Sequence, residues 1–128
     1  MDNKHNVVGW FEIPVTDMDR AISFYEAVFD FGLTRAKIGR MDMAWFPCVA
    51  DSIGSAGSLV LMPGRYKPSS DGVLVYFTAF SGDVSNELTR AVAAGGSVLM
   101  PKKLISKDIG YMAIFLDSEG NRIALHTH

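Results

Sequence analysis

Polar and apolar residues alternate at the start of the chain. Over residues 10–15 (WFEIPV), Phe11, Ile13 and Val15 fall on one face, and Trp10, Glu12 and Pro14 on the other. This follows from the two-residue period of a strand. A tryptophan and a carboxylate thus share a face that a plain core strand fills with aliphatics. The period then changes. Asp17 is a good N-cap, and Ala21, Ile22, Phe24, Tyr25, Val28 and Phe29 recur at helical spacing, with Gly32 as the expected stop. Residues 33–40 and 43–49 read as strands, the second with Pro47 marking an edge or bulge. A Ser- and Gly-rich turn over 51–57 leads to a short apolar strand over 58–62, closed by Pro63-Gly64.

After the polar stretch 65–72 (RYKPSSDG) the pattern starts again. Residues 73–80 form a strand, and Gly82-Asp83 opens a helix with Val84, Leu88, Ala91 and Val92 on one face, stopped at Gly95-Gly96. Strands follow at 97–100, ending at Pro101, then at 110–116 and, after the turn 117–120, at 121–126. Each half is strand, helix, strand, strand, strand. Gly32 matches Gly95 and Gly57 matches Gly120, an offset of about 63 to 66 residues, too long and in too few copies for a solenoid. One such sheet and helix would leave a sheet face bare. Pairing two buries that face or wraps it around a cavity. The expectation is an α+β fold in one domain: module one over about 7–64, a linker over about 65–72, and module two over about 73–128.

Composition narrows the function classes. The chain has 128 residues, 48% hydrophobic and 20% charged, with net charge −2, which is ordinary for a soluble globular protein. No basic block or basic–aromatic interleaving offers the positive charge that nucleic acid requires, so no nucleic-acid partner is expected. No apolar run approaches the ~20 residues needed to span a bilayer, and the first ten residues lack an apolar signal core, so no membrane partner is expected either. Cys48 stands alone and forms no internal disulfide; a cytoplasmic location is the default expectation. A lone cysteine in an apolar strand reads as a small core residue rather than a nucleophile.

The order βαβββ–βαβββ, the opening VTDMDRAISFYEAVFDFGL, the AAGG after the second helix and the closing GYMAIFLDSEGNRIALH together resemble the vicinal-oxygen-chelate superfamily. That superfamily includes glyoxalase I, extradiol dioxygenases and bleomycin-resistance proteins. The resemblance covers nearly the whole chain. It implies two βαβββ modules forming curved mixed sheets around a cavity, and commonly a homodimer. It also implies, in the metalloenzymes of the group, His and Glu metal ligands on the inward faces of the first, fourth, fifth and eighth strands. The matching positions here are Trp10, Val60 or Leu61, a residue near Tyr76, and Ala124. None is a His, Glu, Asp or Cys, whereas divalent first-row ions need such donors. No metal and no cofactor are therefore expected.

The ionisable groups left beside these positions are Glu12, two residues beyond Trp10, and His126, two beyond Ala124. Both share the inward face of their strand, and a carboxylate with an imidazole at one pocket forms a plausible general acid–base couple. Structural roles are the alternative: an ion pair at the rim for Glu12, a surface position for His126. Trp10, Tyr76, Trp45 and Phe46 are candidates for an aromatic wall, although strand aromatics are also ordinary core. Thr78 offers a hydroxyl on the face of Tyr76, and Tyr111 a hydrogen-bonding gate. His5 and His128 read as solvated, and Lys102, Lys103 and Lys107 as a solvated loop. Two functions stay open. One is a bleomycin-resistance-like protein holding a small, largely apolar or aromatic molecule, with Trp10, Tyr76, Thr78 and Tyr111 in contact. The other is a small-molecule lyase or isomerase using Glu12 and His126.

Overall fold

A computed structural model describes residues 6–128. The first half contains β1 (Trp10–Pro14), α1 (Met18–Phe29), β2 (Thr34–Ile38), β3 (Met41–Trp45) and β4 (Ala56–Leu61). The second contains β5 (Val75–Thr78), α2 (Val84–Ala93), β6 (Ser97–Ser106), β7 (Gly110–Leu116) and β8 (Arg122–Thr127). The strands form two four-stranded sheets, ordered β1-β4-β3-β2 and β5-β8-β7-β6. In each, the outer pair β1/β4 or β5/β8 is parallel and the remaining pairs are antiparallel. These are the curved mixed sheets of an α+β fold, and the second half repeats the topology of the first.

Both helices start as their sequences dictate. Asp17 accepts from the Arg20 N–H and Asp83 from the Ser85 N–H, each satisfying a donor that the first helical turn leaves free. The first helix stops before Gly32. Asp30 takes the left-handed conformation at φ 56°, and its N–H closes on the Glu26 carbonyl. A short polar side chain tolerates that conformation, so glycine is not needed.

Three further expectations shift. The sixth strand runs straight through Pro101 to Ser106, so Lys102 and Lys103 lie on a strand rather than a loop. Proline is tolerated there because β6 is an edge strand, paired only with β7, and its register slips between Met100 and Lys103. On α2 the buried stripe is Val84, Glu87, Leu88 and Ala91, while Val92 is exposed. Glu87 replaces it because its carboxylate has local donors: the Ser81 N–H at 3.1 Å and hydroxyl at 2.7 Å. The third strand ends at Trp45, short of Pro47.

The core lies between the sheets and the helices and draws on both halves. Ile13, Leu59, Phe77, Phe115, Ile123 and Leu125 point into it from the strands. At its centre Phe29 stacks on Phe77 (centroids 4.8 Å apart), and Tyr25 meets Phe46 edge-on at 5.4 Å.

The turn before β8 ties the halves together. Glu119 Oε1 accepts from the N–H groups of Thr16 (2.8 Å) and Asp17 (2.9 Å), and from the Thr16 hydroxyl (3.0 Å). Arg20 donates to both Glu119 oxygens, at 2.7 and 2.9 Å. Burial pushes the Glu119 carboxyl up, but the bonds from Arg20, the Thr16 and Asp17 backbone and Ser118 outweigh it and hold its pKa at about 2.

Candidate functional site: a cavity between the first and fifth strands

A cavity of about 910 Å³ opens where the first strands of the two halves approach each other. That volume lies within the range of ligand pockets, roughly 300–1,000 Å³. Trp10 and Glu12 line it from β1, and Tyr76 and Thr78 from β5. Residues of the 46–56 turn and the 67–74 linker complete the wall. The pleat explains this placement. Ile13 is buried in the core, so Trp10 and Glu12 face the opposite side, while Phe11 and Phe77 reach the cavity from the core face.

The Glu12 carboxylate organises the first-strand wall. Its Oε2 accepts from the Trp10 indole N–H at 3.3 Å, and its Oε1 from the Tyr66 hydroxyl at 2.6 Å. The bond to Glu12, together with burial and the nearby negative charge, raises the Tyr66 phenol above its usual range. One carboxylate therefore fixes two aromatic rings, one on the strand and one on the loop after β4.

Two other contacts shape the cavity. Phe11 lies over Gly57, where a Cβ would run into the Phe11 ring. Asn121 lines the cavity and joins three segments. Its Nδ2 donates to the Pro14 carbonyl at 2.7 Å and to Asp117 at 3.1 Å, while its Oδ1 accepts from the Ser69 N–H at 3.1 Å.

Four of the residues singled out in the sequence, Trp10, Glu12, Tyr76 and Thr78, meet at this cavity. His126 does not reach it. It pairs with Thr78 in the sheet register, but its Nε2 lies 2.6 Å from the Ile109 carbonyl oxygen. A carbonyl only accepts, so Nε2 donates and is engaged away from Glu12. Tyr111 is also absent from the lining. It shares the face of the buried Ala113 and Phe115, with Lys102 4.6 Å above its ring. Lys102 also pairs with Asp83 at 3.1 Å, and Lys103 and Lys107 are exposed and away from the cavity. Phe46 lines the cavity and Trp45 does not. Cys48, read as a core residue, is exposed and lies on the cavity wall. His128 is exposed, and His5 lies outside the described residues.

The positions that the family resemblance matches to metal ligands carry Trp10, Val60 or Leu61, a residue near Tyr76, and Ala124, and of these Trp10 and Tyr76 line the cavity. In the register Val60 stands opposite Pro14 and Met43, while its neighbour Leu59 enters the core. Neither an indole nor a phenol is the imidazole, carboxylate or thiolate that a divalent first-row ion takes. Among the described residues no group of three or more His, Cys, Asp and Glu side chains is placed to hold one. No helix among them is long and apolar enough to cross a membrane.

Tyr66 and Asn121 escaped the sequence reading. Tyr66 meets Glu12 across a separation no periodicity registers. Asn121 did carry a signal, because it directly follows the glycine of the closing D-x-x-G turn.

Paired βαβββ modules with a cavity between their first strands define a glyoxalase-like fold. The sequence profile of the Glyoxalase/Bleomycin resistance protein/Dioxygenase superfamily matches residues 7–125, and the chain belongs to that superfamily. Among solved structures, it is similar to a glyoxalase/bleomycin resistance protein from Albidiferax ferrireducens T118 (TM-score 0.70, 16% identity, covering 96% of this chain and 100% of that one). A glyoxylase/bleomycin resistance protein/dioxygenase domain from Frankia sp. EAN1pec gives a TM-score of 0.72 at 16% identity, covering 97% and 98% of the two chains. TnmS3, an antibiotic binding protein from Streptomyces sp. CB03234, is 25% identical with a TM-score of 0.63, covering 98% of each chain. A sequence comparison with curated proteins returns no match.

Proposed function

We propose that this protein binds a small, largely apolar or aromatic molecule in the cavity between β1 and β5, and acts by holding it. The observation that carries this reading is the convergence of Trp10 and Glu12 from one module with Tyr76 and Thr78 from the other on one ligand-sized space. Aromatic walls with few polar groups suit an apolar body that is oriented by a small number of hydrogen bonds. The likeness to an antibiotic binding protein supports a sequestering role. The catalytic alternative draws no support from the geometry, because His126 is engaged with Ile109 and lies outside the cavity. In this reading the protein works as a homodimer in the cytoplasm, as its family resemblance and single cysteine suggest.

Thermal unfolding in the presence of a panel of planar aromatic compounds tests the reading, since a ligand held only by the native state raises the unfolding temperature. Saturable stabilisation that is lost on Trp10→Ala is expected. A panel of polycyclic and monocyclic aromatics that leaves the midpoint unmoved at millimolar concentration would overturn it.

A further inference from the structure

We propose, resting on the small-molecule reading above, that the ligand carries a protonated amine on its aromatic body and that this amine docks on Glu12. Glu12 and Lys67 are the only charged side chains on the wall among the described residues. They are not equivalent. Glu12 is half-buried and belongs to the rigid first strand, whereas Lys67 is exposed on the linker, where water and salt screen it. The two groups that bond Glu12 are both neutral, an indole N–H and a phenol O–H. No ion pair to Glu12 occurs among the described residues. Neither of these neutral donors carries a charge to balance the carboxylate. A carboxylate also has about four acceptor positions, so two bonds leave room for further donors.

The surroundings fit the same chemistry. Trp10 is held against the carboxylate through its indole N–H, and indole is the aromatic ring that attracts a cation most strongly. The rim side chains Ile53, Val73 and Phe80 are strongly exposed and apolar, and they suit a hydrophobic body behind the charged head. An ammonium group between a carboxylate and an indole gains a charge-assisted hydrogen bond together with a cation–π contact. A neutral or anionic ligand of the same shape gains neither.

Three naphthalene compounds of one shape test this: 1-naphthylmethylammonium, 1-naphthalenemethanol and 1-naphthoate, titrated at neutral pH and followed by calorimetry. The wild-type protein should bind the ammonium about tenfold more tightly than the alcohol, and the carboxylate more weakly than either. Glu12→Gln should bring the ammonium to within about twofold of the alcohol, and a cooperative unfolding transition like that of the wild type shows that the variant is folded. Tyr66→Phe, which frees one Glu12 oxygen and keeps its charge, should retain the preference. Equal binding of ammonium and alcohol would overturn the inference and leave the small-molecule reading standing. Tightest binding of 1-naphthoate would overturn it in favour of Lys67. Binding of none of the three would overturn both.

Discussion

The phenol of Tyr25 donates to Asp117 Oδ2 at 2.6 Å, and both residues are buried. The bond joins the middle of α1 to the turn before β8. Burial pushes the Asp117 carboxyl above its usual range, against the lowering effect of its bonds from Tyr25 and Asn121 and from the Asn121 and Glu119 backbone. Tyr25→Phe keeps the ring packing and removes the donor. The expected loss of stability is about 1–3 kcal/mol, read from urea unfolding. It should be larger at neutral pH, where the carboxylate is charged, than near pH ~4, where protonation relieves the buried charge.

Glu119 sets a second pH dependence. Its pKa is about 2 in the folded protein against an ordinary value of 4.5. A depressed carboxylate contributes stability that is fully present above 4.5 and is lost as pH falls toward 2. Arg20 is half exposed, so screening reduces the effect, and about 2 kcal/mol is expected near neutral pH. The gap in unfolding free energy between wild type and Glu119→Gln should shrink steadily from pH ~5 downward. A gap independent of pH would contradict the assignment.

Gly57→Ala should destabilise the protein through packing rather than backbone strain. The added methyl meets the Phe11 ring, which packs on Phe46 and Phe77. Overpacking of this kind costs about 1–3 kcal/mol, and Phe11→Leu in the same chain should recover part of it. Because Phe11 also lines the cavity, any ligand found by thermal shift should bind the single variant more weakly.

Trp10→Ala separates binding from folding. Trp10 is 44% exposed, so its removal should change unfolding free energy by less than about 1 kcal/mol. Affinity for 1-naphthalenemethanol should fall about tenfold or more, because the ring is the main aromatic surface on β1. Equal affinity in both proteins would remove Trp10 from the site.

The wall of the cavity was legible in the sequence where it follows the local period. Trp10 and Glu12 occupy alternate positions of a strand whose other positions are plainly core, so their shared face could be read directly. The family resemblance put a wall position near Tyr76, and the same alternation added Thr78. His126 followed the same rule and still missed the cavity, since the rule fixes a strand face and says nothing about the Ile109 carbonyl that holds the ring. Tyr111 was assigned from its place after a glycine, and its strand face turned out to be the buried one. Pro101 reads locally as a strand end, but an edge strand with a slipped register absorbs it. The roles of Tyr66 and Glu119 depend on contacts 54 and 103 residues away in the chain, beyond any window of local pattern.

The reach of Glu119 back to Thr16 also has a consequence for the order of events during synthesis. The first helix emerges from the ribosome about a hundred residues before the side chain that binds its amino end, and before the acceptor for its buried phenol. Until the last turn is made, that helix has only half of its native partners, and its core face has no second sheet to rest on. The two halves repeat one architecture, yet the nascent first half should stay sensitive to proteases until β8 has emerged. Synthesis of the second module, rather than of the first alone, is then the point at which these two halves commit to their fold.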